Sequence, residues 1–480
     1  MSDILQNINN VQKCYLSFSG SSGKGKTDIF SLSLSMTVGQ FPQCTVLLSE
    51  ASLSLPSINQ QCSVILELDG SSYTLFDGYI ITDTQTVSTS PDHVAGYRQY
   101  QIAINTEGVD SIPPTAWTYL TNAVNVEQGV TQGYVLVGNS IQNGTQNAKA
   151  SQAGNNNIAQ IILKTMDELQ GATTGNRTQA SISSMFTYSN TVLNMAGTHD
   201  LAQYIADKAT TLLKGGYSYI QAIESLCSEF YLVTYPRLSK NGYRMHISYK
   251  PGWGKKPADM ISLSEYTGIL TTSLSTKNKR IDGIIMPYWD TTGANPTHIG
   301  QYAFYGQAKS NSGLTMRIFN LTSLKNFFGA NTSGLKYKQI PTPAWLATGL
   351  STTALQQAVR GVVKAHFATY AFAQRTINLD IPLVKFLSLR SSLGSLVEVE
   401  AFKNNVEGLD TQSTKSKGHT LSTGKDKNTK TYIGQLSTVS MTLNFVQSKL
   451  IINCTASVSH VRMSSVDKWM NFTTDDLLYK

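Results

Sequence analysis

Charge is scarce in this chain. Asp, Glu, Lys and Arg make up 14% of its 480 residues, against about 25% in ordinary soluble domains. Ser, Thr, Asn, Gln, 36 glycines and 23 tyrosines take their place. That profile fits a β-rich assembly protein better than a helix-rich metabolic enzyme. Long apolar runs are missing too: none approaches the ~18 residues of a membrane span. The start, MSDILQNINNVQKCYLSF, has no basic region, apolar core or cleavage site, and does not read as a signal peptide. The five cysteines (Cys14, Cys44, Cys62, Cys227, Cys454) are odd in number and never spaced CxxC. This excludes a zinc ribbon and argues for reduced, buried thiols.

Motifs for catalysis or cofactors are equally sparse. The seven histidines (His93, His199, His246, His298, His366, His419, His460) include no pair at i, i+4 and no HExxH, so no metal site is expected. There is no GxSxG. Trp289-Asp290 and Asp475-Asp476 offer carboxylates without partners at a readable spacing. Gly20–Thr27 (GSSGKGKT) formally matches the phosphate-binding GxxxxGK[ST]. That loop requires a helix beginning at the Lys, whose N–H groups meet the phosphates. Here the alternating FSLSLSMTV follows, so the segment reads as a hairpin tip. No cofactor is expected.

What is present is period-2 alternation. Phe30, Leu32, Leu34, Met36 and Val38 alternate with Ser and Thr, and Val64, Leu66 and Leu68 lead into Asp69-Gly70, a hairpin signal. Phe76, Gly78 and Ile80 share one strand face, and Tyr100, Ile102 and Ile104 form a last strand before Pro113-Pro114. Residues 1–112 therefore read as a small barrel or sandwich. Residues 113–230 change character. A polar Asn/Gln/Gly-rich stretch, 139–158, cannot form a core. After it come a helix with Asp200 as its cap, ended by Gly215-Gly216, and a second helix from about Ser218. Phe230–Arg237 and Tyr243–Tyr249 then form a hairpin about Asn241-Gly242, opening a mixed β-rich region, 231–345. A connecting helix lies in 346–375, with Leu355, Val359, Val362 and Phe367 on one face. Strands return in 376–465: Ile377 to Leu383 alternate, as do Val439 to Phe445 and Leu450 to Val458. Residues 466–480 form a tail.

The two β-rich ends share a local plan. Phe76-Asp77-Gly78-Tyr79-Ile80 and Tyr432-Ile433-Gly434-Gln435-Leu436 each set an aromatic, a Gly and an aliphatic on one strand face before a long strand pair. The recurrence favours an internal duplication over two unrelated sheets. Charge is divided along the chain as well. Residues 1–110 carry 4 basic against 10 acidic groups and residues 231–480 carry 29 against 13, net −6 and +16. The ends face different surroundings or each other. In the polar loop 409–431, Lys415, Lys417, Lys425, Lys427 and Lys430 form a basic cluster. It suits contact with passing DNA or an acidic neighbour, or is a solvated hairpin tip. No aromatic interleaves these lysines, which argues against single-strand stacking.

The order of segments resembles the central hub proteins of contractile-phage baseplates and related injection systems. The stretches that carry the likeness are Ser218–Tyr249 and Arg375–Arg462, the latter with INLDIPLV, Leu393-Gly394, LVEVEAF and YIGQL. The resemblance implies an α+β, predominantly β fold: two tube-type antiparallel β-barrels with a helical insertion and a mixed β region between them. It implies a homotrimer joining a sixfold tail-tube ring to a threefold central spike, flanked by baseplate wedge or tape-measure proteins and in transient contact with passing DNA. Such a protein is made in the bacterial host cytoplasm and resides in the virion tail. Residues 463–480 are too short for an appended lysozyme or needle, so under this resemblance the spike is expected to be another chain. Two other classes stay open: a receptor- or carbohydrate-binding tail protein using its Tyr and Trp side chains, and a cell-wall hydrolase.

Overall fold

The computed structural model describes residues 11–20, 23–52, 54–90, 93–104, 134–137, 140–143, 156–174, 182, 186–188, 194–195, 199–239, 242–249, 261–276, 281–290, 299–307, 314–331, 336–347, 352–370, 375–402, 429–446 and 449–463.

The first six strands are β1 (Val11–Gly20), β2 (Gly23–Thr37), β3 (Gln43–Ser49), β4 (Gln61–Leu68), β5 (Ser71–Ser90) and β6 (His93–Ile104). They pair antiparallel in the cyclic order β1-β4-β5-β6-β3-β2 and back to β1, a closed barrel. The alternation read from the sequence supplies its interior. Leu32, Leu34, Met36, Val46, Leu48, Val64 and Leu66 are all buried, each contributing about 1.5–3 kcal/mol. Phe30 departs from that alternation. A bulge between Ile29 and Ser31 switches the phase, so Ile29 turns inward and the half-buried Phe30 packs on Tyr97, ring centres 4.7 Å apart. Asp69 and Gly70, both with positive φ (49° and 74°), close the β4–β5 hairpin as the Asp-Gly pair requires.

The insertion begins with two small pairings. β7 (Tyr134–Val137) pairs with β8 (Ser140–Asn143), and β9 (Asn156–Asn157) with the later β11 (Asn194–Met195). Between these last two come α1 (Ile158–Thr174) and β10 (Phe186–Tyr188). Next are α2 (His199–Lys214) and α3 (Tyr219–Glu229). Asp200 lies inside α2, which starts at His199, two residues before the Leu201 start that Asp200 as cap would give. α3 opens with a reciprocal capping box: Ser218 Oγ accepts from the Gln221 N–H (3.2 Å) and Gln221 Oε1 from the Ser218 N–H (2.9 Å). β12 (Leu232–Ser239) and β13 (Gly242–Tyr249) pair from Leu232 opposite Tyr249 down to Ser239 opposite Gly242. Residues 240 and 241, part of the expected turn, lie outside the described residues.

The strands β14 (Ile261–Ser264) and β15 (Leu270–Thr276) lead into a four-stranded sheet. Its members are β16 (Gly283–Asp290), β17 (Ile299–Gln307), β18 (Leu314–Asn320) and β19 (Tyr337–Gln339), in the order β18-β17-β16-β19, with α4 (Leu321–Asn331) after β18. Phe304, Phe319 and Phe327 form a separate small core there. The expected connecting helix is α5 (Thr352–Tyr370), burying Leu355, Val359, Val362 and Phe367. The chain ends in β20 (Arg375–Ile381), α6 (Leu383–Leu389), β21 (Leu396–Phe402), β22 (Thr429–Val446) and β23 (Lys449–Met463). Leu383, read from the sequence as a strand residue, belongs to α6. Pro382 stops the ladder, having no N–H to give, and stands at the helix N-cap, after which Leu383, Phe386 and Leu389 turn inward.

These C-terminal strands repeat the first barrel. β21, β22, β23 and β20 follow one another in the order of β4, β5, β6 and β3. The place of β2 is taken by β14 and β15 together, one strand broken by a 3-10 turn at Glu265–Thr267. β15 pairs antiparallel with β20, as β2 does with β3. β14 pairs parallel with β21. The parallel ladder follows from the missing counterpart of β1: strands 2 and 4 run the same way, and with no strand between them they meet directly. The second barrel thus has five strand positions where the first has six.

Candidate assembly interface

The correspondence between the barrels extends to single residues. Gly78 of β5 stands opposite Cys62, the second residue of β4; Gly434 of β22 stands opposite Val397, the second residue of β21. Two positions earlier, Phe76 faces Val64 and Tyr432 faces Val399. All four of these apolar residues are buried. Two positions later, Ile80 faces Ile102 and Leu436 faces Val458, and each ladder then slips by one residue, at Ile81 and at Ser437. The hairpins end in step too, at Ser90 opposite His93 and at Val446 opposite Lys449. Gly78 is required by close approach: a Cβ there would lie 1.7 Å from the Ala103 carbonyl oxygen.

The barrels are joined by strand pairing. The second half of β2 leaves β1 and runs along the second half of β22, Ser31 opposite Asn444 through Thr37 opposite Thr438. One face of this seam is apolar: Leu32 opposite Leu443, Leu34 opposite Met441 and Met36 opposite Val439 are all buried. The other face carries hydroxyls and amides. Ser31 Oγ donates to Asn444 Oδ1 (2.7 Å), Thr37 and Thr438 hydroxyls lie 3.3 Å apart, and Ser440 and Thr455 hydroxyls 2.7 Å apart. The pattern continues through Ser457 Oγ to Asn378 Oδ1 (2.8 Å) and Asn378 Nδ2 to Ser273 Oγ (2.8 Å). The result is a continuous face across five strands, rich in Ser, Thr and Asn, on which Asp380 (opposite Thr455) and the exposed Ile451 (opposite Asn444) also lie. Away from this seam, Arg390 Nη1 donates to the Thr74 and Leu75 carbonyls (2.6 and 3.1 Å), tying the turn after α6 to β5.

At the break in the second barrel sits Glu265, which is buried. Its carboxylate accepts the Thr271 N–H (2.8 Å) and the Phe402 N–H, and Ser264 Oγ donates to Glu400 Oε2 (2.9 Å). Glu265 thereby holds β15 and the end of β21 at the point where regular pairing lapses.

Two strand edges carry no ladder among the described residues. Beyond Ile80, β5 pairs with β6 on one side only, and β15 pairs with β20 on one side only. These are the positions that β22 and β2 use to join each other within the chain. Beside the β15 edge, Tyr266 and Leu270 are more than half exposed (56% and 51%).

The other sequence candidates fall as follows. Of the basic cluster, Lys430 lies on β22 opposite Ala401, while Lys415, Lys417, Lys425 and Lys427 lie outside the described residues. The nucleotide-loop match is a hairpin, Gly20 opposite Gly23 and Ser17 opposite Lys26, with no helix at Lys26. His246 is buried on β13 with Nδ1 2.8 Å from Thr187 Oγ1; desolvation, aided by Arg237, lowers its pKa to about 4. His366 Nε2 lies 2.8 Å from the Tyr231 hydroxyl. Asp290 ends β16 opposite Ile299, and Asp475 and Asp476 lie outside the described residues. All five cysteines are free and buried, and burial raises each thiol pKa, that of Cys14 and Cys454 to about 12. Among the described residues no group of three His, Cys, Asp or Glu side chains could hold a metal, and no helix is long and apolar enough to cross a membrane. The sequence signalled the Gly motif but missed the two open edges, because a ladder's partner is set by strands distant in sequence.

No family model and no curated protein matches this chain. Among solved structures, it is similar to the 43 kDa tail protein of prophage MuSo2 from Shewanella oneidensis, at 8% identity and a TM-score of 0.43, covering 93% of this chain and 98% of that one. It is also similar to a tail protein from Neisseria meningitidis MC58, at 9% and 0.41, covering 96% and 99%. A third is the E. coli c3393 protein, a type VI secretion component described as similar to the T4 tail proteins gp27 and gp5, at 8% and 0.39, covering 94% and 77%.

Proposed function

We propose that this chain is a structural component of a bacteriophage tail or related injection particle: a trimeric hub that joins a sixfold tube to a threefold spike. The observation that carries the reading is the tandem of two barrels with matching strand order, joined edge to edge by β2 on β22. A threefold ring of such chains contains six barrels, so one ring offers neighbours both symmetries.

The distribution of insertions supports this division. β15 and β21 run in the same direction and end at the same end of the second barrel, where the long connections 277–374 and 403–428 begin. The first barrel has only the short turns at 38–42 and 69–70 in those places. The matched hairpin connections, 91–92 and 447–448, lie at the opposite end. The matched end suits a sixfold tube ring and the unmatched end a threefold partner such as a central spike, with wedge or tape-measure proteins around it. The Ser/Thr/Asn face, with Asp380 as its charged member, suits a passage for DNA, since these strand positions lack the lysines and arginines that hold phosphates. The cluster of Lys415, Lys417, Lys425, Lys427 and Lys430 then decorates the threefold end, close to DNA or an acidic neighbour. The site of action is the virion tail, after assembly in the host cytoplasm, and the role requires no turnover.

Native mass measurement of the purified chain, alone and with candidate spike and tube proteins, tests this. Trimers that bind a spike or tube end are expected. A monomer that binds neither, or that binds glycans or degrades cell wall instead, overturns it.

A further inference from the structure

We infer that copies of this chain join through β15 of one and the second half of β5 of the next, in the register that β2 and β22 already use within the chain. The inference rests on the ring reading above and specifies its intermolecular joint.

The register follows from residue equivalences. Leu34 pairs with Cys44 and Leu274 with Ile377; Cys44 and Ile377 in turn face Ile102 and Val458, which are equivalent. Leu274 is therefore the counterpart of Leu34. On the other strand, Thr82 follows the slip at Ile81 as Thr438 follows the slip at Ser437, so Thr84 corresponds to Ser440 and Gln85 to Met441. Within the chain, Ser33 faces Thr442, Leu34 faces Met441, Ser35 faces Ser440 and Met36 faces Val439. The same pairing between copies sets Ser273 opposite Thr86, Leu274 opposite Gln85, Ser275 opposite Thr84 and Thr276 opposite Asp83.

Three further observations favour a second copy as the occupant. Among the described residues both edges have a ladder on one side only over these positions. The strand donors sit in oppositely charged parts of the chain, residues 1–110 at net −6 and residues 231–480 at net +16. Because each chain carries one edge of each kind, the contact is head-to-tail and closes only as a ring. The two joints differ in one respect. β5 presents Asp83 and Gln85 where β22 presents Val439 and Met441, so the joint between chains lacks the buried apolar row of the joint within the chain and is the one that opens on dilution.

The test is oxidative cross-linking of the full chain carrying Ser275→Cys and Thr84→Cys, both exposed positions. Ser35→Cys with Ser440→Cys is the internal control, the same pair geometry within one chain. The control is expected to cross-link intramolecularly, and the S275C/T84C chain to give covalent trimers on a non-reducing gel. An out-of-register chain, S275C with Gln85→Cys on the opposite face, should give at least tenfold less. Trimers by native mass that fail to cross-link, or that cross-link equally in both registers, overturn the joint while leaving the hub reading intact. A chain that forms no trimer at all overturns the hub reading itself.

Discussion

Gly78 and Gly434 each face the second residue of the strand before them and each lie three residues ahead of a one-residue slip, though the β22–β23 ladder shifts at Gly434 as well while Gly78 pairs regularly with Ile104. At Gly78 the Ala103 carbonyl leaves no room for a side chain. Gly78→Val is expected to destabilise the first barrel by about 3 kcal/mol or more, through steric displacement of β6. Denaturant unfolding of the variant checks this; an unchanged midpoint contradicts the packing described.

The buried Glu265 carboxylate substitutes for ladder bonds where the second barrel is interrupted. Glu265→Ala leaves the Thr271 and Phe402 N–H groups without their acceptor, at a cost of about 1–3 kcal/mol for each buried group left unsatisfied. Hydrogen exchange should speed up at Thr271 and Phe402 well before the first barrel is affected. Uniform acceleration across both barrels contradicts this.

Much of the architecture was legible in the sequence because period-2 alternation directly reports one buried face. The strands around Leu32, Val64 and Leu379 and the Asp69-Gly70 turn are of this kind. The repeated Gly strand was legible for the same reason: a bare position between an aromatic and an aliphatic has a packing cause. Phe30 and Leu383 were misplaced because a bulge and a proline interrupt the period locally. β14 and β15, which the sequence places in the mixed region 231–345, pair with strands more than 100 residues later. No local pattern encodes that choice, nor the seam of β2 with β22.

The five thiols are all buried with raised pKa. A thiol reagent at pH 8 should therefore label none of Cys14, Cys44, Cys62, Cys227 and Cys454 in the native protein, and all five after denaturation, since the thiolate is the reactive form. Fast labelling of any one in the folded protein contradicts its burial.

His246 links stability to pH. Its folded pKa, about 4, lies below the ordinary value of 6.5, so between these values the unfolded chain binds the extra proton and the folded chain does not. Stability is lost as the pH falls from about 6.5 towards 4. His246→Gln should flatten that part of the stability profile, as read by unfolding midpoints at several pH values. An identical slope in the variant assigns the effect elsewhere.

The basic loop 409–431 overlaps the connection between β21 and β22, which runs from 403 to 428 where the first barrel has only Asp69-Gly70 between β4 and β5. Replacing Lys415, Lys417, Lys425, Lys427 and Lys430 by Ser should leave thermal stability unchanged while altering assembly or genome ejection. An unchanged infectivity titre retires the proposed contact.

In the proposed hub, two similar barrels per chain let three copies present sixfold symmetry. Electron microscopy of the assembled oligomer, viewed down its axis, tests it most directly. Six barrel-sized densities at 60° intervals around an open channel, with threefold features at one end, are expected. A ring of any other copy number, or barrels whose strands do not meet around the axis, contradicts it.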